Sequence, residues 1–225
     1  MNQEKQSIER QRVALDECKR FSAAVVSNLK LLPIDIMKRH VASLFVATML
    51  DHYCSIIHLF GEERYDFSIS AFVLVRPIID SAFRGVWIAN FAKDEEIDSV
   101  LTANGYEVLK KINPGMLYGL MKKQFNIDDS LQDHFKEDWK SVHGFVHTGT
   151  EQLKQRVGAI RSRTYPYEKV IAALVMSSQY VMVGSVYVAY AQNADVALSI
   201  SEAHDNLRRQ VVIVQTDKSK SHMVN

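Results

Sequence analysis

Residues 170–191 read VIAALVMSSQYVMVGSVYVAYA and hold no charged side chain. How this stretch is read decides the fold. It is long enough to cross a bilayer, for which about 20 apolar residues suffice. Yet Ser177, Ser178, Gln179, Ser185 and three tyrosines dilute its hydropathy. Ala173, Ser177 and Gly184 recur at roughly helical spacing, which suits close packing against other helices. The leading expectation is therefore a central helix buried in a helical bundle, with a membrane span at 170–191 as the minority reading.

The flanks extend the same pattern. Tyr165-Pro166 opens this helix, expected over 166–193, and Asp195–Gln215 reads as a final helix. Thr216–Asn225 is expected to be a polar, flexible tail. At the other end, 2–32 carries the apolar stripe Ile8, Leu15, Cys18, Phe21, Val25, Leu29 and Leu32. Pro33 and Asp35 end that helix and start the next, 35–60, whose stripe is Val41, Phe45, Met49, His52, Ile56 and Leu59. A third helix, 67–92, is apolar nearly all round and hence central. Shorter pieces follow at 94–103, 105–112 and 115–126, with a turn signal at Asn113-Pro114-Gly115. A helix is then expected from about Ser130 to His143. With only 9 glycines and 4 prolines, an all-β fold lacks its turns. The fold class is all-α: one bundle of roughly six to eight helices over 1–215, then the tail 216–225.

Composition limits the function classes. Lys and Arg total 27 against 26 Asp and Glu, a formal net charge of +1, so no broad basic surface for duplex nucleic acid is present. Cys18 and Cys54 are too few for a disulfide-stapled fold and form no paired Cys-x-x-Cys zinc motif. Met1–Arg12 is charged and lacks an apolar signal core, which makes the cytoplasm the default expectation. A Gly-rich phosphate loop, a serine nucleophile elbow and a dinucleotide fingerprint are all absent, so no cofactor is implied. The apolar stripes leave room for a homodimer, although no heptad run specifies one.

Polar residues in apolar surroundings carry the functional signal. Arg76, Asp80, Arg84 and Trp87 fall within one arc of the third helix, on a face expected to be core. Charges placed there must be paired or must line a cavity. Asp80 stands at i,i+4 to both arginines and can bridge them, which leaves one positive charge over for another acid or for an anionic ligand. Pro77 deletes a backbone donor beside them. His143 and His147 have the spacing of two ligands on one helix face. With His52 as third ligand and Asp80 as fourth, such a set would resemble the three-histidine site of DinB-like bundles. The other notable residues have plainer readings. His58 and Asp51 suit a solvated or interfacial pair, Trp139 a core anchor, and Cys54 an unreactive thiol. Lys154, Arg156, Arg161 and Arg163 suit a solvated connection, with contact to phosphate as the minority reading.

Two stretches, Val73-Leu-Val-Arg-Pro-Ile-Ile-Asp-Ser-Ala-Phe-Arg-Gly-Val-Trp87 and Val142-His-Gly-Phe-Val-His-Thr-Gly149, resemble a bacterial family of uncharacterised all-helical proteins. Its pattern is Arg-Pro-x-x-acid-x3-Arg-x2-Trp on a central helix and then a late His-x-Gly. The organisation is similar to that of HEPN-like helical proteins, many of them dimeric RNA-cleaving toxins or antiphage effectors. Their Arg-to-His catalytic spacing is missing here, since Arg39 and His40 are adjacent. The resemblance covers most of the chain, but residue by residue it carries over only Arg76, Asp80, Arg84 and His147. From the residues themselves, the leading expectation is a semi-buried pocket in which Arg76 and Arg84 hold an anionic group such as the phosphate of a nucleotide or RNA, Asp80 orients them, and His147 with His143 serves as proton donor or acceptor. The rival expectations are a non-enzymatic interaction module built on a structural ion-pair network, and a metal-binding DinB-like protein. No motif names a reaction.

Overall fold

The computed structural model describes residues 3–33, 36–61, 68–102, 105–127, 133, 135–138, 142 and 167–221. Every regular element among them is an α-helix, in the order α1 (Gln3–Leu29), α2 (Met37–Gly61), α3 (Ser68–Asn90), α4 (Asp94–Val100), α5 (Gly105–Leu109), α6 (Pro114–Phe125), α7 (Tyr167–Tyr190) and α8 (Ala194–Ser221). Helical residues also occur at 133, 135–138 and 142. The fold is all-α.

Local chemistry sets several of the boundaries. The Asn113 side chain accepts from the Met116 amide at 2.9 Å, so the Asn-Pro-Gly signal is the N-cap of α6, with proline in its first turn. Asn126 closes α6 in the left-handed region, φ 51°, its amide returning to the Lys122 carbonyl. Asn193 caps α8 through the amides of Asp195 and Val196. That last helix continues to Ser221, past the expected end at Gln215, so the first part of the segment expected as a tail is helical.

α7 is the axis of the bundle. It packs against α1, α2, α3 and α8, and α2 and α3 form the other broad contact. The approach is close because small residues permit it. A Cβ added at Gly184 would lie 2.8 Å from Met49 Sδ and 3.1 Å from Ala82 Cα, so α7 nearly touches α2 and α3 there. Both α2 and α7 are long and apolar enough to cross a membrane by length and composition. α7 contacts four helices, and 61% of its apolar window is buried inside the protein, against 39% for α2.

The stripes of α1 and α2 largely enter the core, where Cys18, Phe21, Val25, Met49 and Ile56 are buried. Ile8, expected on the same stripe, is 48% exposed near the chain start. In α3 the deepest side is formed by Val75, Ile78, Ile79, Ala82 and Val86. The arc holding Arg76, Asp80 and Arg84 is half-buried at the core's margin, not at its centre as the sequence suggested. Charged groups settle where water still reaches them, because full burial costs several kcal/mol per ion.

Candidate functional site

α3 runs unbroken through Pro77 and presents Arg76 and Asp80 one turn apart. Arg76 Nε lies 3.3 Å from Asp80 Oδ2, with side chains 18% and 29% exposed. Arg84, one turn further on, is also half-buried. Among the described residues it has neither an ion pair nor a hydrogen bond to its side chain. The expected double bridge is therefore single: Asp80 serves Arg76, and Arg84 is the cation left over. Trp87 and Phe83 on the same side are buried.

From this face an aromatic path crosses the bundle. The Phe83 ring meets Phe135 at 5.3 Å and Tyr180 at 5.8 Å, both edge-on. The Tyr180 hydroxyl donates to Asp138 Oδ2 at 3.0 Å. Burial, and then the charge of Asp138, pushes the Tyr180 phenol well above its ordinary pKa, so it stays a donor. Asp138 in turn lines a cavity of about 320 Å3, together with Arg10, Glu168, Gln179 and an apolar wall on α7. A smaller hollow of about 180 Å3 is lined by Ile36, Lys38, Arg39, Ala89, Ala191 and Gln192, where Lys38 donates to Ala92 O and Gln192 Nε2 to Val188 O.

A second polar cluster, not singled out in the sequence, lies at the meeting of α1, α2, α7 and α8. The Ser178 hydroxyl donates to the Val175 carbonyl at 2.8 Å, which leaves it to accept from His204 Nε2 at 3.3 Å. That arrangement places the imidazole proton on Nε2. Burial, followed by the nearby Arg208 charge, brings His204 down to about 4, so the ring is neutral. Phe21 packs on the imidazole at 5.2 Å. Ser22 Oγ and Cys54 Sγ are 3.3 Å apart, and burial raises the Cys18 thiol to about 12. The Tyr53 phenol, fully buried, is pushed up by the same desolvation and by neighbouring Cys18. A protonated thiol and a neutral imidazole make this cluster a packing element, not a nucleophilic centre. The signal for it was present: Ala197, Ile200, His204, Leu207 and Val211 repeat at three- and four-residue steps, and all are buried.

The other expected site residues divide. His52 is half-buried on α2, while Asp51 and His58 are exposed. His143 and His147 lie outside the described residues, as do Trp139, Lys154, Arg156, Arg161 and Arg163. Among the described residues no three His, Cys, Asp or Glu side chains gather as a metal site would require. The sequence matches the model of a family of unknown function (DUF6988) over residues 46–212. No curated protein and no solved structure matches it.

Proposed function

The chain belongs to this family of unknown function, and we propose that it binds a phosphate-bearing ligand, a nucleotide or RNA, on the polar face of α3. The observation that carries this reading is Arg84, a half-buried guanidinium with no anion among the described residues to meet it. A guanidinium partly withdrawn from water gains from a charge-assisted hydrogen bond, and its planar fork fits phosphate oxygens. Asp80 holds Arg76 in place beside it. In the fuller form of the reading, Trp87 borders the site and His143 and His147 exchange protons with the ligand. The protein would then act in the cytoplasm as a HEPN-like homodimer with a defence or toxin role.

Titrating nucleotides and short single-stranded RNAs into the full-length chain tests the reading. Binding that weakens with salt, and that Arg84→Ala reduces about tenfold or more with melting unchanged, supports it. Wild-type protein that takes none of these ligands, or an Arg84→Ala variant that binds as well as wild type, overturns it.

One observation favours the rival structural reading: Arg76 and Asp80 close on each other within a single helix. If the pair is purely structural, Asp80→Ala costs about 1 kcal/mol of stability by removing one charge-assisted partner of Arg76, and changes nothing in ligand binding.

A further inference from the structure

α2 is apolar along its length, yet it does not sink all of that surface into the bundle. Its buried side, with Met49, Tyr53 and Ile56, belongs to the core shared with α1, α3 and α7. The opposite side carries Met37, His40, Leu44, Ala47, Asp51 and Cys54, all of them exposed. The steps between them alternate between three and four residues, the spacing of the seam where two helices coil together. The stripe is no apolar heptad run, because only Met37 and Leu44 are large and apolar. It is not an ordinary solvated side either, because it holds no Lys, Arg or Glu.

This stripe is complementary to itself. Set it antiparallel against a second copy, with the two-fold axis between positions 45 and 46. Met37 then meets the partner's Cys54, His40 the partner's Asp51 and Leu44 the partner's Ala47, and the symmetry repeats each pair. Two kinds of layer set a large side chain against a small one, which lets helices interlock closely. The third sets a base against an acid. Other arrangements lose the match. Parallel helices put Asp51 on the partner's Asp51. Sliding the antiparallel pair by one heptad puts Asp51 on the partner's Ala47 and His40 on the partner's His58; sliding it the other way carries Asp51 past the start of α2. An aspartate within the stripe also makes it a poor fit for lipid. The geometry points to α2 as the surface through which two copies of this chain form an antiparallel homodimer. The inference deepens the homodimer part of the reading above and rests on that part alone; the ligand at Arg84 does not enter it. The seam from 37 to 54 is about 25 Å long. An interface built on one helix pair of that length is small, so the dimer is in reversible, concentration-dependent equilibrium with monomer.

Sedimentation equilibrium of the full-length chain from micromolar to millimolar concentration tests this. Wild type should pass from monomer to dimer. Leu44→Glu, at a position 49% exposed, should raise the dissociation constant about tenfold or more and leave the melting of dilute protein unchanged. Asp51→Lys, facing the partner's His40, should weaken the dimer by a similar factor. Adding His40→Glu should restore it to within about threefold of wild type, a rescue that only the antiparallel register gives. Met37→Cys sets a thiol opposite the partner's Cys54, so a short bismaleimide should join two copies. Cys54→Ser in the same chain should abolish that link, because position 37 of one copy lies about 25 Å along the seam from position 37 of the other. Wild type that stays monomeric throughout overturns the inference and the homodimer reading together, and needs no variant to fold. If that monomer pellets with phosphatidylcholine–phosphatidylglycerol vesicles, the face belongs to lipid instead. A dimer that Leu44→Glu and Asp51→Lys leave intact overturns the α2 surface alone.

Discussion

His204 is 2% exposed, between the Phe21 ring and the Ser178 hydroxyl. Its pKa falls from an ordinary 6.5 to about 4 in the folded chain, chiefly through burial and secondarily through Arg208, against the opposing pull of Asp205. In the unfolded chain the imidazole takes a proton near 6.5, so acid favours unfolding. The stabilising contribution of the neutral ring is therefore complete above about pH 6.5. It is lost as pH falls from there through about 4, by on the order of 3 kcal/mol. Urea unfolding of wild type and His204→Gln across that window checks this. Wild-type stability should drop steeply with acid while the variant, weaker at neutral pH, shows a shallower slope. Equal slopes would mean that His204 is not the buried base. A smaller effect belongs to Tyr180. Tyr180→Phe keeps the ring contacts to Phe83 and Phe135 but removes the donor to Asp138, and should cost about 1 kcal/mol in thermal denaturation.

At the scale of the helix, glycines give two substitutions of opposite sign. Gly184→Ala gains helix propensity of about 1 kcal/mol. It also pushes a methyl to within 2.8 Å of Met49 Sδ and 3.1 Å of the Ala82 backbone, and overpacking of that kind costs about 1–3 kcal/mol. Since Ala82 Cα cannot swing away, the clash should win and lower stability. Gly119→Ala, at an exposed position of α6, meets nothing within 4 Å and should raise stability by about 0.5–1 kcal/mol. Melting temperatures moving in opposite directions are the expected result. Gly184 was legible in the sequence as one of three small residues at helical spacing, because small-residue spacing in an apolar helix reports close packing. The start of α6 was legible for a similarly local reason, the Asn113-Pro114-Gly115 signal that proves to be its N-cap. The depth of the α3 arc was not: periodicity fixes which residues share a face, but only tertiary packing fixes how far that face is sunk. The cavity was less legible still. Arg10 reads as one charge among many in a polar N-terminal segment, and it gains meaning only where α1 brings it to Asp138 and the α7 wall.

For the molecule as a whole, the most informative element lies outside the part that matches its family. The match begins at residue 46, inside α2, and so omits α1. Yet α1 packs against α7 and α8, and its Ala14, Cys18, Phe21 and Val25 are at most 2% exposed. Its Phe21 ring contacts both Tyr53 and His204, tying α1 to α2 and α8. Burial of a large apolar side chain contributes roughly 1.5–3 kcal/mol, so the stripe Leu15, Phe21, Val25 and Leu32 with its smaller neighbours amounts to on the order of 10 kcal/mol before chain entropy is subtracted. That is comparable with the whole net stability of a domain, about 5–15 kcal/mol. Family-level similarity and the folding unit should therefore differ. A chain beginning at residue 46 should bind a hydrophobic dye strongly, lose cooperative melting and show little amide protection in α7, whereas the full chain melts in one transition. If the shortened chain melts as sharply as the full one, α1 is an appendage, and the cavity lined by Arg10 would be an accessory to an already complete bundle.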